Sequence, residues 1–359
     1  MSTVTVRGDD AEVDVVVVGG RVAGAATAML LAGHGLRVRV AERSAPGADT
    51  VSTHALMRGG VAQLARWGLL DEIVAAGTPP IRRATYLYGD EPLTVDVKPS
   101  HGVDALYAPR RTVLDPVLAR AAANAGADLR HRCTVTELLR RRGRVVGVEL
   151  AGPDGVERVS ARLVIGADGF GSGVARGVGA EIYRSGPHGA AVSYGYWSGL
   201  DTDGYEWVFR RAGCCGVIPT NGGAACVFVS GRPEVVGGGG VDLIRSVVGC
   251  GAPELAARLD RAVAPERTRT WRAMPGFLRT SHGPGWALVG DAGYFKDPIS
   301  AHGLTDAMRD AELLARAVVG GWGGGDRCLD RALADYQSTR DELSGELFAL
   351  TDRISANDW

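Results

Sequence analysis

The chain is almost without lysine. Of its 40 basic residues only Lys98 and Lys296 are lysines; the rest are arginine. We read this as the codon bias of a GC-rich genome and not as a binding patch, so runs such as Arg140-Arg141-Arg142 are solvated faces. Net charge is also lacking. Forty-one acids oppose the 40 bases and leave −1, a balance that offers nothing to nucleic acid or an anionic membrane surface. Long apolar runs are missing: the stretch Val15–Val18 is too short to span a bilayer, and no signal peptide precedes it. There are six cysteines, at positions 133, 214, 215, 226, 250 and 328, with no C-x-x-C pair and no zinc-ligand spacing. No metal site is therefore expected, and the reducing cytoplasm is the simplest location. The neighbours Cys214 and Cys215 are read as two small buried residues, with a vicinal disulfide as the alternative. No internal repeat is present.

What is present is a chain of 359 residues, 45% hydrophobic, long enough for one large or two interleaved domains. Residues 1–12 form a polar leader expected to fray. Val15–Val18 is a β-branched run of the kind buried on both faces of a parallel sheet. Gly19-Gly20 breaks it, Ala23–Gly33 reads as a helix, and Leu36–Ala41 reads as the next strand, closed by Glu42. This is a βαβ unit of dinucleotide-binding length. Further on, the spacing predicts one helix over residues 61–76, a hairpin of Arg83–Tyr88 with Leu93–Val97, and a helix over Arg111–Ala125. Strands follow at Val145–Leu150 and Val159–Ile165. Residues 181–271 change character. They gather aromatics, glycines and short alternating runs such as Gly216–Pro219 and Ala225–Ser230, the pattern of an antiparallel sheet. Trp286–Val289 returns to strand, and Arg331–Asp352 reads as a long amphipathic helix.

Three segments carry chemistry. The first is Gly19-Gly20-Arg21-Val22-Ala23-Gly24, a dinucleotide fingerprint with one defect: Arg21 stands where the second glycine belongs, the glycine that lets a pyrophosphate approach the backbone. Gly19 allows the tight turn and Gly24 the close helix–strand packing. Glu42, 23 positions past Gly19, can accept the ribose hydroxyls of an adenosine. A plain α/β core is the alternative. The second is Ile165-Gly166-Ala167-Asp168-Gly169, for which an ordinary Asp-Gly turn is the alternative. The third is Leu288-Val289-Gly290-Asp291-Ala292-Gly293, followed by Pro298 and the helix start Ala301–Ala307. A helix N-terminus behind glycine is an anion site.

In this order and at these separations the segments resemble the group A flavoprotein monooxygenase superfamily, whose fold is that of p-hydroxybenzoate hydroxylase and whose branches include geranylgeranyl-reductase-like enzymes and halogenases. The resemblance spans roughly residues 13–320. It implies an α/β fold, a Rossmann-like FAD-binding domain (residues 1–82, 105–180 and 272–330) interleaved with an antiparallel-sheet substrate domain (83–104 and 181–271), and a C-terminal helix (331–359). By the same resemblance Gly19, Arg21, Val22, Ala23 and Gly24 hold the ADP half of FAD, and Glu42, with Arg43 beside it, matches the ribose-binding acid. Asp168 lies near the pyrophosphate, Gly290 and Asp291 hold the ribityl chain, and Pro298, Gly303, Leu304 and Thr305 face the isoalloxazine. Arg111 matches an arginine that reaches FAD from a helix start, and Arg58 one that lies along the diphosphate.

The implied chemistry is monooxygenation of a small hydrophobic or aromatic metabolite, as in secondary metabolism. NAD(P)H, a transient co-substrate, reduces FAD, and O₂ then forms a flavin C4a-(hydro)peroxide. A dehydrogenase or double-bond reductase of the geranylgeranyl-reductase type is the rival, and a non-catalytic flavin-binding protein a further one. His54 is the candidate polar group on the flavin face, with simple solvent exposure as the alternative. Tyr194, Tyr196, Trp207, Phe209 and Phe228 are candidates to line the substrate site, with a role as sheet core as the alternative. The sequence departs from the family at Arg21, at Phe170 where many members carry arginine, at Tyr294 for histidine and at Thr305 for asparagine. The Trp-x-Trp-x-Ile-Pro signature of flavin halogenases is absent, since Val208-Phe209 follows Trp207. For Arg21 two placements are open: toward phosphate or flavin, or out to solvent.

Overall fold

The computed structural model describes residues 11–211 and 213–357. Most of the polar leader lies outside the described residues. Ala11 and Glu12 are already in strand β1 (Ala11–Val18), paired with Val159 and Ser160, so these two residues of the leader are not frayed.

β1 lies at the centre of a sheet whose neighbouring strands run parallel to it: β2 (Val38–Glu42) on one side and Gly155–Gly166 on the other. Asp128–His131 continues past β2, and Trp286–Leu288 past Gly155–Gly166. Val15 and Val17 point into one cluster with the helices, while Val16 and Val18 point into a second with Val145, Val148 and Trp286. Two buried faces explain the uninterrupted β-branched run, because all four of Val15–Val18 are buried. On the helical face lie α1 (Val22–Gly33), α2 (Arg58–Arg66), α3 (Arg111–Asn124) and α4 (Gly303–Trp322). The helix expected over 61–76 is two: α2 ends at Gly68, whose φ of +70° is left-handed, and Leu70–Ala75 starts anew. The C-terminal helix α5 (Gly325–Ser355) is longer than the apolar periodicity foretold.

The second sheet runs Arg269–Trp271, Ala191–Ser198, Ala224–Gly231, Gly213–Pro219, Tyr205–Arg210, Arg83–Tyr88, Glu91–Asp96. It is antiparallel except at one joint. The hairpin of residues 83–96 enters from the first sheet's side of the chain and docks parallel to Tyr205–Arg210, a correction to the all-antiparallel expectation. One face, with Trp197, Val208, Cys215 and Val227, is covered by the helices Val241–Gly251 and Pro253–Arg261. The other, with Tyr194, Tyr205, Trp207 and Phe228, packs on Ala55, Met57, Ala108, Ile299 and Ala301. Strand alternation thus sends Cys214 and Cys215 to opposite faces, and both thiols are free. Among the described residues no helix is long and apolar enough to cross a membrane, and no cluster of metal-ligating side chains occurs.

Candidate cofactor site

The turn after β1 is set by two glycines. Gly19 has φ +100°, and a Cβ there would lie 2.4 Å from the Ala167 carbonyl oxygen. A Cβ on Gly24 would lie 1.8 Å from the Gly19 carbonyl oxygen. Strand, turn and helix are therefore in backbone contact, as a dinucleotide cradle requires. Helix α1 has neither a side-chain cap nor an acid in its first turn, so its leading N–H groups are open to an anion. Val22 is buried and Ala23 packs beneath Gly290, where a Cβ would meet it at 2.9 Å.

Arg21 is the N-cap residue of α1 and does not simply point to solvent. Its guanidinium donates to Asp115 Oδ2 (3.0 Å) and to the Ala48 carbonyl (3.2 Å), and reaches the Ser44 hydroxyl (3.4 Å). Asp115 is itself gripped by Arg111, through Nε (2.7 Å) and Nη2 (3.0 Å). One buried carboxylate is bracketed by two arginines, which leaves a net positive charge beside the open helix N-terminus. Asp115 was not singled out in the sequence, although its i+4 spacing from Arg111 was a usable signal.

Glu42 is 6% exposed, and its two oxygens accept from the amides of Gly20 (2.7 Å) and Ser44 (2.7 Å). Burial alone would raise its pKa. The two amides, the Ser44 hydroxyl and nearby Arg21 outweigh burial and hold the carboxyl below its ordinary range. A cleft of about 340 Å³ opens beside it, lined by Gly20, Arg21, Ser44, Asp115, Leu129 and His131 among others. This is the lower end of the size range of small-molecule sites, at about 300–1,000 Å³.

Asp291 sits on the turn Gly290–Ala292 between α1 and α4. Burial pushes its carboxyl up to about 6; Lys296 and Arg111 pull it down and Asp310 adds to the rise. Among the described residues it accepts no hydrogen bond. A half-buried carboxylate without a donor, on a turn packed against α1 and α4, is the acceptor that the hydroxyls of a ribityl chain would satisfy. Past it, Asp297 caps the turn Pro298–Ser300, Ala301 takes a left-handed φ of +53°, and α4 begins at Gly303 without a side-chain cap. Nothing lies within 4 Å of a Cβ built on Gly303, so that side of the helix start is open. Together these groups fit FAD: a mostly apolar cleft with Glu42 at one end, an open helix start with two arginines in the middle, and an unmet acceptor near a second open helix start.

Other sequence candidates stand differently. Asp168 accepts from Ser172 Oγ (2.5 Å) and from the Gly173 and Val174 amides (2.7 and 3.2 Å), so its carboxylate caps the short helix Gly173–Val178. The Thr305 hydroxyl accepts from the Met57 amide (3.2 Å) and ties α4 to α2. Arg58 donates to the Lys98 carbonyl on an exposed surface, and Arg43 is exposed outside the cleft lining. Phe170 is exposed and meets Trp271 edge-on, with centroids 4.9 Å apart.

His54 is 2% exposed, which removes the solvent-exposed alternative. Its Nδ1 lies 3.1 Å from the Ala108 carbonyl and its Nε2 3.1 Å from the Tyr196 hydroxyl. A carbonyl only accepts, so Nδ1 carries the hydrogen and Nε2 accepts from Tyr196. Burial, with Arg110 adding to it, drives the pKa to about 3. A ring held neutral in this way links the loop of residues 44–57 to the second sheet. The Tyr194 hydroxyl accepts from the Ser52 amide (2.8 Å), and Trp207 and Phe228 are 8% and 6% exposed. These three are packed as sheet core, whereas Tyr196 and Phe209 are half-buried.

The placement of Arg21 yields a first prediction. Arg21→Gly restores the usual fingerprint but removes one of the two bracketing cations. The variant should bind FAD several-fold more weakly, about 1 kcal/mol for one partly exposed charged contact, as read by titrating apoprotein against flavin fluorescence. Unchanged affinity would assign the arginine to holding Asp115 alone.

Comparison with known proteins agrees with this geometry. The profile of the FAD binding domain family matches residues 12–346. Digeranylgeranylglycerophospholipid reductase 2 of Methanothermobacter thermautotrophicus is 34% identical over 221 residues, a match spanning 55% of this chain and 54% of that one; the aligned stretch thus covers about half the length of this curated relative. Among solved structures, flavin-dependent brominase Bmp2 superposes with a TM-score of 0.84 at 18% identity, over 96% of this chain and 89% of its own. PqsL of Pseudomonas aeruginosa, described as a probable FAD-dependent monooxygenase, superposes with a TM-score of 0.79 at 21% identity, over 96% and 94%. At such identities the likeness of the structures is one of fold.

Proposed function

This chain belongs to the FAD binding domain family, within the group A flavoprotein monooxygenase superfamily, and from that premise we propose that this FAD-dependent oxidoreductase is a monooxygenase acting on a small hydrophobic or aromatic metabolite with NAD(P)H and O₂. The observation that carries the reading is Asp291, a half-buried carboxylate with no donor among the described residues, on a turn packed between two helices with uncapped starts.

When bound, the flavin supplies hydride acceptance from NAD(P)H and the activation of O₂. The protein's part is binding, orientation and exclusion of water. Glu42 and the adjoining cleft take the adenosine. The open N-terminus of α1, with Arg21 and Arg111 on either side of Asp115, takes the diphosphate. Asp291 accepts from the ribityl hydroxyls. The start of α4 presents N–H groups to the pyrimidine edge of the ring system, where charge develops on reduction. The His54–Tyr196 hydrogen bond ties the second sheet to the loop of residues 44–57, and the aromatic face of that sheet forms a dry wall for an apolar substrate.

The test is a coupled assay on protein purified with its flavin. A screen of aromatic and isoprenoid metabolites should reveal one that accelerates NAD(P)H oxidation and O₂ uptake together, with one atom from labelled O₂ appearing in the product. The similarity to a digeranylgeranylglycerophospholipid reductase favours a second reading, a double-bond reductase. Turnover that persists without O₂ and yields a saturated product would decide for it. Protein that never carries flavin would remove both readings.

A further inference from the structure

In a chain where arginine has displaced lysine almost everywhere, one of the two lysines is buried in the core of the candidate site. Lys98 lies on the surface; Lys296 is 7% exposed. It follows the short strand Tyr294–Phe295, with its ammonium 4.9 Å from the centre of the Tyr294 ring, and it forms a salt bridge to Asp306. Asp306 is 6% exposed and lies in the first turn of α4.

The charges around this pair are few and countable. Arg309 Nη1 stands 3.5 Å from Asp306, and its Nη2 2.7 Å from Asp310, which is fully buried and has one oxygen without a partner. Asp291 also feels Lys296. Counting Arg111, which also acts on Asp291, three acids beneath the start of α4 face three bases. An acid in the first turn stabilises a helix, but it also cancels the positive potential that the N-terminus offers to an external anion. Lys296, in direct contact with Asp306, removes this cancellation, and Arg309 at 3.5 Å adds to the effect. Whether the shared proton rests on Nζ or on the carboxylate, the Lys296–Asp306 pair is neutral. A compact ammonium on a linear stem suits this enclosed position better than a planar guanidinium.

We propose that Lys296, by neutralising Asp306, keeps the start of α4 electropositive toward the flavin and so makes the protein bind the reduced, anionic cofactor more tightly than the oxidised one. The proposal rests on the reading above that the flavin ring meets this helix start. Lys296 acts here as a positioning residue, through Asp306 and the helix terminus, without touching the substrate.

The experiment measures the midpoint potential of the bound flavin by equilibration with a reference dye. It uses flavin-loaded wild type, Lys296→Met, Asp306→Asn and the double variant. In Lys296→Met the preference for reduced flavin should fall about tenfold or more, a drop of about 30 mV for a two-electron couple. Asp306→Asn should shift the potential the opposite way, and the double variant should return toward wild type. A lysine that merely held the fold would lower the melting temperature and leave the potential in place. A flavin-loaded Lys296→Met protein with the wild-type potential would overturn the proposal. Should that variant fail to fold, the nearly isosteric Asp306→Asn decides: an unchanged or lowered potential is equally fatal. Wild-type protein that takes up no flavin would overturn the functional reading itself, an outcome distinct from a bound flavin whose potential ignores Lys296.

Discussion

Asp291→Ala protein should emerge colourless from a preparation in which the wild type is yellow. The carboxylate has no hydrogen-bond donor among the described residues, so its removal leaves no donor unpaired and changes only the charge balance with Lys296 and Arg111 besides the contact to the ligand. A hydrogen bond to a charged group contributes about 1.5–3 kcal/mol, so loss of even one should weaken FAD binding by about 10- to 100-fold. The raised pKa adds a signature in pH. A carboxyl whose folded pKa lies near 6, above its unfolded value of 3.8, favours the apoprotein most below about pH 4. That contribution is lost as pH rises through 6. A ribityl chain that donates to the ionised form reverses the trend, so affinity for FAD should climb as pH rises through about 6. The rise in melting temperature caused by excess FAD should therefore grow between pH 5 and 7, and Asp291→Asn should flatten it. An Asp291→Ala protein that retains FAD with wild-type affinity would place the ribityl chain elsewhere.

Gly24→Ala should be the most damaging single methyl group in the chain's first motif. Its Cβ would stand 1.8 Å from the Gly19 carbonyl oxygen, 2.9 Å from that carbonyl carbon and 3.1 Å from Ala167 Cβ. Two of these three atoms are backbone, so relief requires α1 to lift from the turn after β1. We expect a cost of about 3 kcal/mol or more, a fall in melting temperature of about 5–10 °C, and loss of FAD binding as the cradle opens. Gly33→Ala, at the last residue of the same helix, is the control. A Cβ there meets nothing within 4 Å, and the change should be neutral or stabilising by about 0.5–1 kcal/mol. Thermal denaturation of the two apoproteins separates contact from helix propensity. Equal melting temperatures would show that the turn is not as tight as the structure has it.

Much of the fold was legible because its signals are local. Val15–Val18 is β-branched throughout, which only a strand buried on both faces tolerates, and both faces are indeed covered. Glycine at 19 and 24 marks backbone approach, and the structure meets both with contacts no side chain could accept. The alternation in residues 191–231 marked strands, but not which edge the hairpin of residues 83–96 would join, because pairing across more than 100 residues leaves no local trace. The helix over 61–76 is divided for a local reason: Gly68, just past the end of α2, takes the left-handed conformation that stops a helix.

The site divides in the same way. Glu42 was a candidate from its motif and spacing, and Asp291 one that the family resemblance implied. The fate of each side chain could not be read in this way. Sequence left His54 between a polar group on the flavin face and simple exposure, and burial removes the second: its ring meets the Ala108 carbonyl and the Tyr196 hydroxyl, 54 and 142 residues away. Sequence left Arg21 between phosphate and solvent, and the structure turned it to Asp115 on another helix. Asp168 and Thr305 spend their polar atoms on a helix cap and a helix–helix tie, while Lys296 acquires a role only because Asp306 stands across from it. Residue types at fixed spacings determined the cradle, because backbone clearance and strand burial are properties of neighbours in the chain. The state of its charges was decided by the tertiary structure alone, because desolvation and pairing depend on which distant groups arrive within about 4 Å.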